Sequence, residues 1–225
     1  MDEVIRNCIY EGSVVIKPAR CTSGGAGIIF WDKEQSIERL KQLLLHGSID
    51  TVIQKPIHQH GILSSINHTS VNTIRFITLL RNGLSMVLSS VLRMGMPGAR
   101  VDNASAGGMT CGILDSGQLK PVAFAKDGNK SNIHPQGIRF LDVSIPNFSE
   151  AKELVCRLQA RFPYCSMISW DITIDKEEKP LLIEANFARG QLDFHQLSNG
   201  PIFGNLTEDI LSQIFSHYKN EIEIY

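Results

Sequence analysis

Two carboxylates and an amide stand where strand geometry would bring them together. Residues 169–175 read Ser-Trp-Asp-Ile-Thr-Ile-Asp, residues 180–186 read Pro-Leu-Leu-Ile-Glu-Ala-Asn, and four charged residues separate them. Side chains alternate along a strand, so Trp170, Ile172 and Ile174 share one face, as do Leu181, Ile183 and Ala185. Asp171, Thr173, Asp175, Glu184 and Asn186 fall on the other. With residues 176–179 as the turn, Asp175 pairs with Pro180 and Asp171 faces Glu184. Like charges opposed across a strand pair repel, so something must compensate. A divalent cation does so, and Asp171, Glu184 and Asn186 are hard oxygen donors of the kind Mg²⁺ takes. The same pattern also reads as a solvated sheet face, and Asp175, near the turn, reads as solvated.

A second group suits phosphate. Lys17 lies in Val14-Val15-Ile16-Lys17-Pro18, a few residues before Ser23-Gly24-Gly25-Ala26-Gly27. Glycines let successive backbone N–H groups surround phosphate oxygens, while a lysine supplies a point charge. A hairpin turn beside a snorkelling lysine is the alternative. No G-x-x-x-x-G-K-[ST] and no helix-opening G-x-G-x-x-G is present, which excludes those two nucleotide loops. His58 and His60 share a face of an extended segment, but no third metal ligand accompanies them. Arg189 and His195 follow the Glu184 strand, where a loop could reach a substrate. Trp31 and Trp170 read as core.

The elements that must position these residues are legible as periodicities. Residues 14–18 and 51–54 read as strands ended by proline. An apolar run covers 28–31, and Ile37, Leu40, Leu43 and Leu44 recur at helical spacing between Lys33 and His46. Residues 72–80 and 85–93 flank Asn82-Gly83, a strong hairpin signal. With a two-residue turn there, Arg75 pairs with Ser90 and Arg93 lies on the opposite face; only a bulge or a longer turn brings both arginines into one site. Residues 94–112 form a long glycine-rich loop, of a length that is usually functional or mobile. Ser149 is a candidate cap for a helix over 150–162, and Thr207 for one running to Lys219. Antiparallel hairpins with helices laid over them give an α+β fold class.

Composition narrows the function. The 225 residues carry 22 Lys and Arg against 23 Asp and Glu, without the sustained positive field of a nucleic-acid coat or a polybasic membrane binder. No window reaches 18 apolar residues, so no membrane span is expected. The five cysteines (Cys8, Cys21, Cys111, Cys156, Cys165) are scattered and never C-x-x-C, the usage of a reducing compartment. None has the cationic neighbour that would make it a nucleophile. A cytoplasmic location is expected.

Taken in order, Val-Ile-Lys-Pro at 15–18, Ser-Gly-Gly-Ala-Gly at 23–27, Val-Ile-Gln-Lys-Pro-Ile at 52–57 and Ser-Val-Asn-Thr-Ile-Arg at 70–75 resemble an ATP-grasp domain. So do Val-Leu-Arg-Met-Gly at 91–95, Val-Asp-Asn-Ala-Ser-Ala-Gly-Gly at 101–108, Trp-Asp-Ile at 170–172 and Ile-Glu-Ala-Asn at 183–186. The chain most resembles the sugar-transfer-associated branch, from about residue 13 to 215. The resemblance implies one ATP-grasp domain over 1–225: a nucleotide-binding flap subdomain over about 10–60, a magnesium and catalytic subdomain over about 61–225, and little of the usual N-terminal lobe. Lys17 would contact the phosphates, with Ser23, Gly24, Gly25 and Gly27 the flap over them. Gln54, Lys55 and Ile57 would form the hinge reading the adenine, with His60 near the ribose. Asp171, Glu184 and Asn186 would hold Mg²⁺. Arg75 and Arg93 would stabilise the transferred phosphoryl group or hold a substrate carboxylate. Asn103, Gly107 and Gly108 would close on the acceptor, and Arg189 and His195 would reach it.

The expected activity is an ATP- and Mg²⁺-dependent carboxylate–amine ligation through an acyl phosphate, in polysaccharide or sugar-conjugate biosynthesis. The alternatives are a phosphotransferase, or a nucleotide-binding module or half of a split enzyme inactive alone. Expected partners are small carboxylate and amine substrates, with a homo-oligomer or a second chain supplying the missing lobe; nucleic acid is not one.

Overall fold

The computed structural model describes residues 2–19, 27–45, 50–99, 102, 107–188 and 190–222. The chain divides into two compact units, Met1–His58 and Gln59–Tyr225.

In the first unit, helix α1 (Asp2–Glu11) leads into strand β1 (Ser13–Pro18). β1 lies between β2 (Ile29–Asp32) and β3 (Thr51–Gln54), antiparallel to both, and helix α2 (Ile37–Leu45) joins the outer strands. The period of two sorts β1: Val14 and Ile16 are buried with Trp31, Leu40, Ile5 and Cys8, while Val15 and Lys17 take the other face. α2 starts at Ile37, the first residue of the apolar spacing, and Ser36 caps it, its hydroxyl accepting from the Arg39 N–H at 3.1 Å.

The second unit opens with the short helix α3 (Gly61–Ile66) and the hairpin β4 (Thr73–Arg81) and β5 (Leu84–Met94). Strands β6 (Met109–Ile113), β7 (Leu119–Ala125) and β8 (Lys130–Ser131) follow, then helix α4 (Phe148–Gln159) and the hairpin β9 (Met167–Ile174) and β10 (Pro180–Asn186). Helices α5 (Leu192–Asn199) and α6 (Thr207–Ile222) end it. One antiparallel sheet results, in the order β10-β9-β4-β5-β6-β7-β8. Its two faces differ in chemistry. Ile74, Phe76, Leu92, Trp170 and Ile172 form a core with Phe148, Ala151 and Val155 of α4. Phe76 and Phe148 stack at 5.5 Å, and each such buried side chain contributes about 1.5–3 kcal/mol. The opposite face carries Arg75, Arg93 and Asp171, with α5 over it.

Asn82 and Gly83 both take positive φ, 51° and 77°, as a two-residue primed turn requires. Register from the turn holds to Thr78↔Val87, then shifts, so that Ile77 faces Ser89 and Arg75 faces Val91 rather than Ser90. Leu88 is the extra residue of this bulge. Beyond it Thr73 faces Arg93, which places Arg75 and Arg93 on one face. The other hairpin does the same. Pro180 pairs with Ile174, not Asp175, and a bulge at Ile183 restores Asp171 opposite Glu184. Leu181 therefore sits across from Thr173 on the polar face, instead of beside Ala185 in the core.

Several expectations are corrected here. The glycine-rich loop ends at Gly108, because Met109 to Ile113 form a buried strand. α4 starts at Phe148; its N-cap is Asn147 in the left-handed region (φ 47°), not Ser149. Asn147 spends its side chain on the β9–β10 turn, donating to the Glu178 carbonyl at 2.7 Å. The Thr207 hydroxyl donates back to the Gly204 carbonyl at 2.7 Å rather than accepting a helix N–H. Asp175 is not merely solvated: its Oδ1 accepts from the N–H groups of Glu177 and Lys179 at 2.9 and 2.8 Å. Among the described residues no helix is long and apolar enough to cross a membrane.

Candidate functional site

Three neighbouring strands carry a row of charge. Glu184 on β10 faces Asp171 on β9, which in turn faces Arg75 on β4. Arg75 grips Asp171 through two parallel bonds, Nε to Oδ1 at 2.7 Å and Nη2 to Oδ2 at 2.6 Å. Arg93 adds a third, Nη1 to Oδ2 at 3.0 Å. Asp171 and both arginines are buried. The repulsion between Asp171 and Glu184 is thus met by two guanidinium groups. Burial works against the Arg75 charge, yet the carboxylate of Asp171 outweighs it and holds the guanidinium pKa above its ordinary value.

The cluster extends through residues that the sequence pattern does not single out. Arg75 Nη1 donates to Gln191 Oε1. Arg93 Nη2 donates to Asp102 Oδ1 at 3.3 Å, and Thr73 Oγ1 donates to Asp102 Oδ2. Burial pushes the Asp102 carboxyl pKa up, against the pull of Arg93. Asp102 falls inside the 101–108 motif and Thr73 inside the 70–75 motif, so their neighbourhoods were visible; Gln191 carries no signal in isolation. The loop bearing Asp102 is tied at its base, where His134 Nε2 lies 3.1 Å from the Gly95 carbonyl and Thr69 Oγ1 donates to Ala99 O at 2.8 Å.

His195, on α5, is fully buried. Its Nδ1 lies 2.8 Å from Ser89 Oγ, which also accepts from Asn199 Nδ2 at 2.8 Å. Its Nε2 is buried with no partner among the described residues. Burial first, then the Arg75 and Arg93 guanidiniums, push the imidazole pKa down to about 3 despite Asp171. Close packing of α5 requires Gly112: a Cβ there would collide with Asn199 Oδ1 and lie 3.1 Å from the Ser198 carbonyl. A small hollow is lined by Arg75, Val91, Arg93, Thr110, Gln191, Phe194 and His195.

As oxygen donors for Mg²⁺, Glu184 and Asn186 fit: both lie on the Asp171 face, and Glu184 is exposed. The Asn186 amide nitrogen is buried without a partner among the described residues. Asp171 Oδ1 accepts one bond, which leaves a lone pair. Among the described residues no group of three or more His, Cys, Asp or Glu side chains is placed to hold a metal by itself.

The remaining candidates are spread more widely. Gly107 (φ 85°) and Gly108 lead into β6, with Gly108 buried. His60 caps α3, its Nδ1 accepting from Ile62 N at 3.2 Å, and its Nε2 is 3.6 Å from Glu178 Oε1. In the first unit Lys17 faces Val52 and Val15 faces Gln54, so Lys17 and Gln54 share the sheet face away from the core. Lys55 is exposed and pairs with Glu11 at 2.8 Å, and Ile57 is half-buried in the segment after β3. Gly27 (φ 80°) packs where a Cβ would meet Pro18 Cγ at 2.9 Å, so only glycine fits. Ser23, Gly24, Gly25, Asn103 and Arg189 lie outside the described residues. Cys111 is buried, and burial pushes its thiol up to about 12, which leaves it unreactive.

Residues 2–211 match the model of the family described as sugar-transfer associated ATP-grasp. No curated protein matches the chain. Among solved structures, D-alanyl-alanine synthetase A from Vibrio cholerae is similar at 12% identity and TM-score 0.49, over 92% of this chain and 50% of that one. The ATP-grasp ligase PsnB, complexed with minimal precursor, is similar at 15% identity and TM-score 0.48, over 94% and 52%. The biotin carboxylase domain of Hydrogenobacter thermophilus 2-oxoglutarate carboxylase is similar at 17% and TM-score 0.46, over 83% and 33%. The chain spans between a third and about half of the length of these neighbours.

Proposed function

This chain belongs to the sugar-transfer-associated ATP-grasp family, and from that premise we propose that it is an ATP- and Mg²⁺-dependent ligase joining a carboxylate to an amine. The acceptor carboxylate attacks the γ-phosphate of ATP, giving an acyl phosphate and ADP; the amine then displaces phosphate. The observation that carries the reading is the buried Arg75–Asp171–Arg93 cluster, with Glu184 opposite, at the family's motif positions. Phosphoryl transfer needs positioning and neutralised charge more than covalent help from the protein. Asp171 and Gln191 hold Arg75 in one orientation before any ligand arrives, so its charge reaches the transferred group without reorganisation.

Lys17 is assigned to the nucleotide phosphates, and Gln54, Lys55 and Ile57 to the adenine edge. Gly107 and Gly108 belong to the acceptor loop. Glu184 and Asn186, with the remaining lone pair of Asp171, would hold Mg²⁺, which neutralises phosphate charge when bound. The family's description favours an acceptor from sugar-conjugate or polysaccharide assembly.

Calorimetry with a non-hydrolysable ATP analogue, with and without Mg²⁺, tests the nucleotide half of this reading. Magnesium-dependent binding that is lost in Glu184→Ala is expected, and its absence from the folded wild type overturns the reading. ADP release that requires an amine is expected of a ligase; release without one would make the protein a phosphotransferase.

A further inference from the structure

The hollow between β4, β5 and α5 joins the cluster around Asp171 to His195, a polar wall that the cluster does not use. It measures about 10 Å³, the room of a single oxygen atom. Two of its walls, His195 and Arg75, are donors of different charge. Ser89 Oγ receives the Asn199 amide N–H and lies 2.8 Å from His195 Nδ1. With the hydroxyl proton given to Nδ1, the imidazole carries its own proton on Nε2. Among the described residues Nε2 is buried and unmet, a costly state for a donor. Beside it, Arg75 commits Nε, one N–H of Nη2 and one of Nη1 to Asp171 and Gln191. A second N–H remains on Nη1. A neutral donor and a cationic one thus border a space the size of one oxygen, while Val91 and Phe194 supply apolar walls.

We propose that this hollow seats one oxygen of an oxyanion ligand, held by His195 Nε2–H and by the Arg75 guanidinium. The seat rests on the ligase reading for its ligand, the acceptor carboxylate, and deepens it by naming the donors that would select an anion over an amide. His195 keeps the geometry constant because it does not take up a proton near neutrality. A permanent cation and a fixed neutral donor hold a carboxylate more tightly than an uncharged carbonyl of the same shape.

The experiment uses the full chain labelled with ¹⁵N at histidine, the His195 signals being identified by their loss in His195→Gln. Sodium acetate, inorganic phosphate and neutral acetamide are each titrated in at constant ionic strength. Expected are the Nε2–H tautomer in the free protein and a saturable shift of Nε2 with acetate, with acetamide at least tenfold weaker. Ser89→Ala, which removes the group that sets the tautomer, should weaken acetate as well. A phosphate response tighter than acetate keeps the seat and assigns it to a phosphoryl oxygen. An Nδ1–H tautomer, or a Nε2 signal that no anion moves, means the hollow holds only water and overturns the seat. MgADP binding is measured on the same sample by calorimetry: MgADP bound with His195 unmoved removes the seat and leaves the ligase reading. Acetate bound without MgADP does the reverse.

Discussion

At the scale of single residues, the centre depends on opposite charges that are buried together. Removing one partner of such a pair leaves the other uncompensated, so Arg75→Ala should destabilise the protein by about 3–5 kcal/mol in denaturant unfolding. Arg75→Lys should recover little, because an ammonium cannot make both parallel bonds to Asp171. His195 gives a pH signature. Its folded pKa, about 3, is below the 6.5 of the unfolded chain, so the unfolded state binds the proton first. The neutral histidine is fully tolerated above pH 6.5, and stability falls as pH drops from there towards 3, at up to about 1.4 kcal/mol per unit from this group. His195→Gln should show a shallower acid limb in the same titration. The candidate carboxylates and arginines were legible in the sequence because their motifs are ordered along the chain. What Asp171 touches was not: the sequence left its repulsion with Glu184 to a cation, whereas the fold answers it first with Arg75 and Arg93.

At the scale of elements, alternation and turn residues disclosed the hairpins, and Asn82-Gly83 predicted the turn conformation. The two bulges were hidden because an extra residue depends on how neighbouring strands twist, which no local pattern records. The structure nonetheless satisfies the condition that the sequence posed, since the extra Leu88 is what brings Arg93 round to Arg75. β7 escaped notice because Pro121 interrupts its strand pattern, and α3 and α5 because they are too short for a clear helical period. α5 also makes the most demanding contact with the sheet. Gly112→Ala should cost about 1–3 kcal/mol as the new methyl forces Asn199 and the Ser198 backbone away. The displacement should also move the His195 imidazole signals, which a purely global loss of stability would not do.

At the scale of the whole molecule, each unit has a core of its own, one around Leu40 and Ile16, the other between the sheet and α4. The α+β class was readable because both sheets are built from neighbouring antiparallel strands. No proline- or glycine-rich linker marks the division at His58, and in the sequence only the family resemblance implied a boundary, at about residue 60. The chain has two tryptophans, and each is buried in a different core: Trp31 in the first unit, Trp170 in the second. Trp31→Phe and Trp170→Phe should therefore yield unfolding curves by fluorescence that report one unit apiece. Curves with different midpoints would show two cooperative transitions, and superimposable ones a single transition. The same pair of indoles makes the protein its own two-channel optical instrument. A nucleotide that engages the Lys17 strand and an acceptor that engages the Arg75 cluster should be distinguishable by emission alone, with no dye attached.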